Sequence, residues 1–354
     1  YASINWNLPP SINIKIIVSL IPRGDSLMGM LISGKWVEDE ATQNKQGKFV
    51  RPDSIFRNWV TSDGSAGPSG HDGFKAEPNR YHLYLSHNCP WAYRTMVLRK
   101  LKGLEKFVSV AISASSVKDE GWTYIKEPGC VPDAVNNITY LHEVYTKAEP
   151  QYTGRVTVPT LWDRERETIV SNESSEIIRM FNSAFNEIGA TSQNYYPDDL
   201  RNEIDNINDV IYKNVNNGVY RCGFASTQAA YEEAFDNLFN TLEELEKRLN
   251  SERYLVGGTL TEADWRLFST LLRFDIVYYG LFKCNKQHIY EYPNLWNFTL
   301  ELYQYPGISE VTDLDHIKRG YYANMQRLDV KGFVPKGPNL NFSAQHDRDR
   351  LPKN

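Results

Sequence analysis

The chain is poor in cysteine, poor in net charge and has no long apolar run. Its 354 residues hold four cysteines, Cys89, Cys130, Cys222 and Cys284, and no two form a C-x-x-C pair. That spacing argues against a zinc knuckle and a dithiol redox motif, and no metal site is expected. Four cysteines are also thin for a disulfide scaffold of this length, so a reducing compartment is expected. The net charge is −5, which argues against a nucleic-acid partner or an anionic membrane surface. The strongest apolar stretch, Ile12 to Ile21, is interrupted by Asn13, Lys15 and Ser19. A membrane span needs about 20 apolar residues, so this stretch reads as a strand or as part of a targeting segment. Residues 1–37 carry Lys15, Arg23 and Lys35 against Asp25 alone, a weakly transit-peptide-like balance. The first residue is Tyr, so the natural start is expected upstream. The compartment is read as the cytoplasm, with the mitochondrion as the alternative. Four N-x-S/T sequons (Asn137, Asn172, Asn297, Asn341) carry no weight without a signal peptide.

What is present is ordinary globular material rich in rings. Hydrophobic residues make up 41%, enough for a substantial core, and the length predicts two or three domains. The 22 tyrosines and 8 tryptophans point to a ring-lined pocket or a large core with wet edges. Residues 1–79 resist patterning and are treated as an N-terminal extension. Arg80-Tyr-His-Leu-Tyr-Leu-Ser86 predicts a strand, a helix runs from Pro90 to Gly103, and Phe107 to Ile112 predicts a parallel strand. Residues 113–153 look like an irregular insertion. Val156 to Trp162 reads as a strand broken by Pro159, Thr168 to Val170 as its hairpin partner, and Ser171-Asn-Glu-Ser-Ser175 caps a helix to about Ala184. From residue 198 the period becomes helical. Apolar faces run through Ile204, Ile207, Ile211 and Val215, and from Tyr231 to Leu249; Thr261 to Asp264 resembles a capping box. Further helices are expected from Pro293 to Tyr303 and from Ile308 to Ala323. The predicted architecture is an α/β layer over residues 80–190, an all-helical domain over 198–331, and a tail over 332–354.

Cys89 carries the clearest chemistry. It ends a strand and opens a helix, where backbone N–H groups and the positive helix end favour a thiolate. No second thiol stands at position 92, so the expected chemistry is monothiol: attack on sulfur, a mixed disulfide, and resolution by an external thiol. Against this stands the buried, inert cysteine. Val158-Pro159 could present free backbone groups to an extended thiol peptide if the bond is cis; taken alone, an edge-strand proline explains it as well. Glu173 and Ser174 stand at a helix N-terminus fit for an α-amino acid end, although plain capping also accounts for them. His87, two residues before Cys89, could act as a base, but a structural role is favoured.

Taken together and in this order, Cys89, Pro159 and Glu173-Ser174 resemble the thioredoxin-like domain of glutathione transferases, with the helical half as their second domain. Asn88-Cys-Pro-Trp-Ala-Tyr-Arg-Thr95, Gly121-Trp-Thr-Tyr124, Asn217-Gly-Val-Tyr-Arg-Cys222, Arg273-Phe-Asp275, Phe282-Lys-Cys-Asn285 and His316-Ile-Lys318 with Tyr321-Tyr322 narrow the likeness. They resemble the Xi class, the glutathionyl-hydroquinone reductases, over about residues 25 to 340. The resemblance implies Cys89 as nucleophile, with Tyr220 and Tyr321 facing an aromatic substrate. It implies that Trp122, Arg155, Val158, Glu173 and Ser174 bind glutathione as co-substrate. It also implies quinol conjugates as partners, a homodimer and no permanently bound cofactor. Two positions depart from the family pattern: Leu281 and Gly320 stand where histidine is usual. Two rival readings remain: an omega-like monothiol transferase or dehydroascorbate reductase, and a catalytically dead assembly module whose thiol would titrate at about 8.5 or above.

Overall fold

This computed structural model describes residues 29–38, 43–117, 120–325, 328 and 331–352. The stretch from Ile12 to Ile21 lies outside the described residues. A hairpin of β1 (Gly29–Ile32) and β2 (Lys35–Glu38) is followed by a parallel pair, β3 (Trp59–Thr61) and β4 (Gly73–Lys75). Then β5 (Tyr81–Leu85), α1 (Pro90–Leu101) and β6 (Val108–Ile112) form the βαβ unit, with β5 and β6 parallel from Tyr81↔Val108 to Leu85↔Ile112. Beyond α2 (His142–Ala148) and β7 (Gly154–Val156), β8 (Thr160–Asp163) and β9 (Thr168–Ser171) extend the main sheet antiparallel, in the order β6-β5-β8-β9. The layer ends with α3 (Ser174–Ser183), packed beside α1. All of β5 is buried, as a central strand covered on both faces must be.

Two local expectations change. The stretch 156–162 does not form one interrupted strand. Pro159 has no N–H to give a ladder, so the chain leaves the main sheet there. Gly154–Val156 instead pairs antiparallel with β1. Residues 113–153 are not wholly irregular, because they contain α2. Only Val144 and Tyr145 of that seven-residue helix are buried, too few for a 3.6-residue period to show. The extension is built into the layer rather than standing apart. Asn58 N–H donates to the Val170 carbonyl (3.0 Å), and Arg57 pairs with Glu176 of α3.

The second domain comprises α4 (Arg201–Ile211), α5 (Gly218–Gly223), α6 (Gln228–Ser251), α7 (Glu262–Arg273), α8 (Tyr279–Leu281), α9 (Pro293–Tyr303) and α10 (Leu314–Asn324). The buried face of α6 includes Ala234, Leu238, Phe239, Leu242, Leu245 and Leu249, the period read from the sequence. The helix expected from Ile308 begins later: Asp313 caps α10 by accepting from His316 N–H (2.8 Å). Two π turns, Tyr212–Asn216 and Phe274–Tyr278, join α4 to α5 and α7 to α8. The Pro/Asn/Gly-rich C-terminal segment lies along this domain. Buried Arg348 donates to the carbonyls of Leu249 (2.7 Å), Glu252 (2.7 Å) and Arg253 (2.8 Å). Among the described residues no helix is long and apolar enough to cross a membrane.

The capping box at α7 is present and fully buried. Asp264 accepts from the N–H groups of Leu255 (2.8 Å) and Thr261 (2.8 Å) and from the Thr261 hydroxyl (3.0 Å). Asp264→Ala strands these donors away from water. The expected cost is about 2–4 kcal/mol, seen as a lower urea midpoint at unchanged slope.

Candidate active site

The turn from β5 into α1 places Cys89. Its backbone is extended (φ −80°, ψ 117°), Pro90 occupies the first helical turn, and the N–H groups of Trp91 and Ala92 at the start of α1 act on the sulfur. Cys89 is half-buried, and its thiol donates to the Val158 carbonyl at 3.4 Å. The Val158-Pro159 bond is cis. Strand β5 and the β7–β8 turn are therefore brought together at the sulfur, although they lie about seventy residues apart in sequence.

A cavity of about 350 Å³ opens beside this turn, within the range of small-molecule sites. Val158, Arg155, Glu173, Ser174, Arg94 and Trp91 are among its lining residues. The Glu173 carboxylate caps α3. It accepts from Ser175 N–H (2.9 Å) and hydroxyl (2.7 Å) and from the Ser54 hydroxyl (3.0 Å). Buried Arg94 donates twice to Ser174 Oγ (2.6 and 3.1 Å) and lies 3.8 Å from Glu173. Burial pushes the Glu173 carboxyl up, but Arg94, Ser175 and Ser54 outweigh it and hold it below the usual carboxylate range. The end of the groove thus offers a fixed negative charge beside a helix N-terminus, suited to an ammonium and a carboxylate on one carbon. Trp122 is buried and is not among the lining residues.

The thiol itself departs from the sequence-based expectation. Burial pushes it up from its ordinary value. The N–H groups of Ala92 and Trp91, then Arg273 and Arg51, pull it down, but without fully offsetting burial. Helix-end activation is present yet subordinate to desolvation. The alkylation rate of the ligand-free protein by iodoacetamide should therefore stay low at neutral pH and climb through the alkaline range. A plateau reached below pH 7 would contradict this. Such a profile no longer separates an enzyme from an inert module. A higher-pKa thiolate is scarcer but the stronger nucleophile, and the two effects partly cancel.

The helical domain supplies a cluster of phenols. The Tyr220 and Tyr321 hydroxyls are 2.7 Å apart, and Tyr278 joins Tyr321 at 3.0 Å. All three are buried, and burial raises each phenol, so all are neutral hydroxyls at physiological pH. Tyr220 and Tyr321 do not line the 350 Å³ cavity; Arg51 does, and it lies over the Tyr220 ring at 5.0 Å and the Trp91 ring at 4.8 Å. Arg273 reaches back from α7 to the carbonyls of His87 (2.8 Å) and Asn88 (3.2 Å), fixing the turn before the sulfur. His87 packs edge-on against His316, with ring centroids 5.1 Å apart. Burial and His316 bring it down to about 4, so it is a poor base.

Four contributors escaped the sequence reading. Arg94 and Arg273 lie inside motifs that carried the family resemblance, but no local pattern reveals what an arginine donates to. Tyr278 ends a π turn, which shifts it off the 3.6-residue period. Arg51 comes from the unpatterned extension. The two departures from the family pattern are placed as well. At Gly320 an added Cβ would meet the Asn88 amide at 2.0 Å, so glycine lets α10, with Tyr321, close on the Cys89 turn. Leu281 lines a separate cavity with Cys222, away from the groove.

Comparison with known proteins agrees with this geometry. The glutathione S-transferase N-terminal domain model matches residues 88–184, and the C-terminal domain model matches residues 228–299. The chain is 48% identical to the glutathionyl-hydroquinone reductase YqjG of Escherichia coli K12, over 91% of this chain and 99% of that one. It is 47% identical to the glutathionyl-hydroquinone reductase PcpF of Sphingobium chlorophenolicum, over 88% of this chain and 96% of that one. The glutathione-bound structure of YqjG superposes with a TM-score of 0.84, at 46% identity over 91% of this chain and 99% of that one. A Xi-class transferase from Natrialba magadii gives a TM-score of 0.83, at 43% identity over 92% and 98%. The chain belongs to the glutathione transferases, in the Xi class that comprises the glutathionyl-hydroquinone reductases.

Proposed function

We propose that the protein reduces glutathionyl-hydroquinones to hydroquinones at the expense of glutathione. The observation that carries this reading is a single thiol, Cys89, hydrogen-bonded to Val158 of the groove wall and close enough to Tyr220, one of a buried trio of neutral phenols, for the two to interact electrostatically. Val158, Glu173, Ser174 and Arg155 hold the tripeptide part of the conjugate, with Glu173 on the ammonium and the start of α3 on the carboxylate.

The chemistry balances without a metal or bound cofactor. Tautomerisation of the conjugate puts a proton on the ring carbon that carries sulfur and turns one phenol into a ketone. The Cys89 thiolate attacks the glutathionyl sulfur, forming the S–S bond as the carbon–sulfur bond breaks. The electron pair passes to the ketone oxygen, where the hydroxyls of Tyr220 and Tyr321 donate to the developing charge. Protonation releases the hydroquinone. A second glutathione thiolate attacks the Cys89–glutathione disulfide, returning Cys89 and giving oxidised glutathione. Family likeness supports a homodimer, and four free cysteines support a reducing compartment such as the cytoplasm.

The test is mass spectrometry of the protein quenched after one equivalent of glutathionyl-hydroquinone, without free glutathione. One glutathione is expected on the peptide containing Cys89, with equimolar hydroquinone released. Hydroquinone release with no adduct on Cys89 would refute the mechanism.

A further inference from the structure

The groove contains a cation that the reaction scheme leaves unused. Arg51 comes from the N-terminal extension and lines the cavity on the side facing the helical domain. Its guanidinium is wedged among the rings of Trp91 (4.8 Å), Tyr220 (5.0 Å) and Phe49 (5.4 Å). One nitrogen, Nε, donates to Asn217 Oδ1 at 3.1 Å. Another, Nη2, is buried with no hydrogen-bond partner, and among the described residues no carboxylate pairs with this arginine. A half-buried guanidinium with one nitrogen buried and unpartnered is a costly arrangement unless a ligand supplies an acceptor. Of the two carboxylates that line the cavity, Asp53 is exposed and the half-buried Glu173 is already engaged by Ser54, Ser175 and Arg94.

We infer that Arg51 is a specificity-determining residue that binds an anionic oxygen on the aryl part of the glutathione conjugate. Its place over the Tyr220 ring puts it at the aromatic end of the groove, while Glu173 and Ser174 mark the γ-glutamyl end. The flanking rings of Trp91 and Phe49, which also line the cavity, offer faces to the aryl ring, and the Arg51 guanidinium offers charge-assisted hydrogen bonds to an ionised oxygen. Conjugates bearing a phenolate or carboxylate oxygen would bind in preference to neutral ones of the same shape. The inference rests on reading the groove as a site for glutathione conjugates.

The test uses two stable thioethers, S-(4-carboxybenzyl)glutathione and S-(4-methylbenzyl)glutathione, with glutathione as reference, titrated calorimetrically into wild type, Arg51→Gln and Arg51→Lys. Wild type should prefer the carboxylate by about tenfold or more. Arg51→Gln should reduce that preference to about one while glutathione affinity persists, and Arg51→Lys should keep an intermediate preference because the charge remains. A wild-type preference near one overturns the inference, as does a preference that survives Arg51→Gln. So does an equal fall in affinity for glutathione itself, which would assign Arg51 to the tripeptide. If wild type shows the preference but no turnover of glutathionyl-hydroquinones, the functional proposal fails and the anion subsite stands.

Discussion

Cys89→Ser lowers the turnover of a glutathionyl-hydroquinone by about 10³-fold or more and leaves no covalent intermediate, as read by initial rates and by mass spectrometry. A serine hydroxyl at this turn keeps the same neighbours: the Val158 carbonyl, the N–H groups of Ala92 and Trp91, and Arg273 nearby. What it lacks is nucleophilicity toward sulfur, since no base stands ready to ionise it. The fold should survive, because the exchange is nearly isosteric and Cys89 is only partly buried. The thermal midpoint should stay within a few degrees of wild type, which separates lost chemistry from lost structure. Glutathione binding should likewise persist, since Glu173, Ser174 and Arg94 are untouched. Substantial residual turnover in this variant would remove the monothiol mechanism and with it the omega-like alternative.

The second large effect belongs to the phenols. Tyr321 is the hub, bonded to both Tyr220 and Tyr278, so Tyr321→Phe should cost about 10²-fold in kcat on glutathionyl-hydroquinones. Tyr220→Phe removes one donor but leaves the Tyr278–Tyr321 bond, and a smaller loss of about tenfold is expected. The two losses should not multiply, because the hydroxyls act as one network. Assaying the same variants on a small mixed disulfide decides between the hydroquinone-specific and the general monothiol readings. Disulfide exchange develops no charge on a ring oxygen, so its rate should fall far less. Equal losses on both substrates would favour the general transferase.

Much of this site was legible because its signals are local. A strand by alternation, a Cys-Pro pair at its end and a helix after it are contiguous, and they suffice to place Cys89 at the N-cap of α1. Capping residues before a helical period likewise identify the start of α3 with Glu173 and Ser174, and the box at Thr261–Asp264 is where its spacing put it. Other features were illegible for a physical reason. Helix α2 is too short to express a period, and π turns displace Tyr278 from one. The destination of Gly154–Val156 depends on β1, more than a hundred residues away. The direction of the Cys89 shift was misjudged because a helix terminus is visible in sequence whereas desolvation is not. Burial depends on how both domains close over the turn.

The order of residues along the chain was therefore sufficient for an α/β half followed by a helical half, for a cysteine at the start of α1 and for the capped start of α3. Each follows from neighbours a few residues apart, where backbone geometry and propensity dominate. Tertiary packing alone decided that Tyr220, Tyr278 and Tyr321 share hydrogen bonds, that Arg273 braces the turn before Cys89, and that Arg51 lies among the rings of Phe49, Trp91 and Tyr220 at the cavity. These groups meet across separations of up to about two hundred residues. No local preference encodes such meetings; they follow from the shapes that buried surfaces must share.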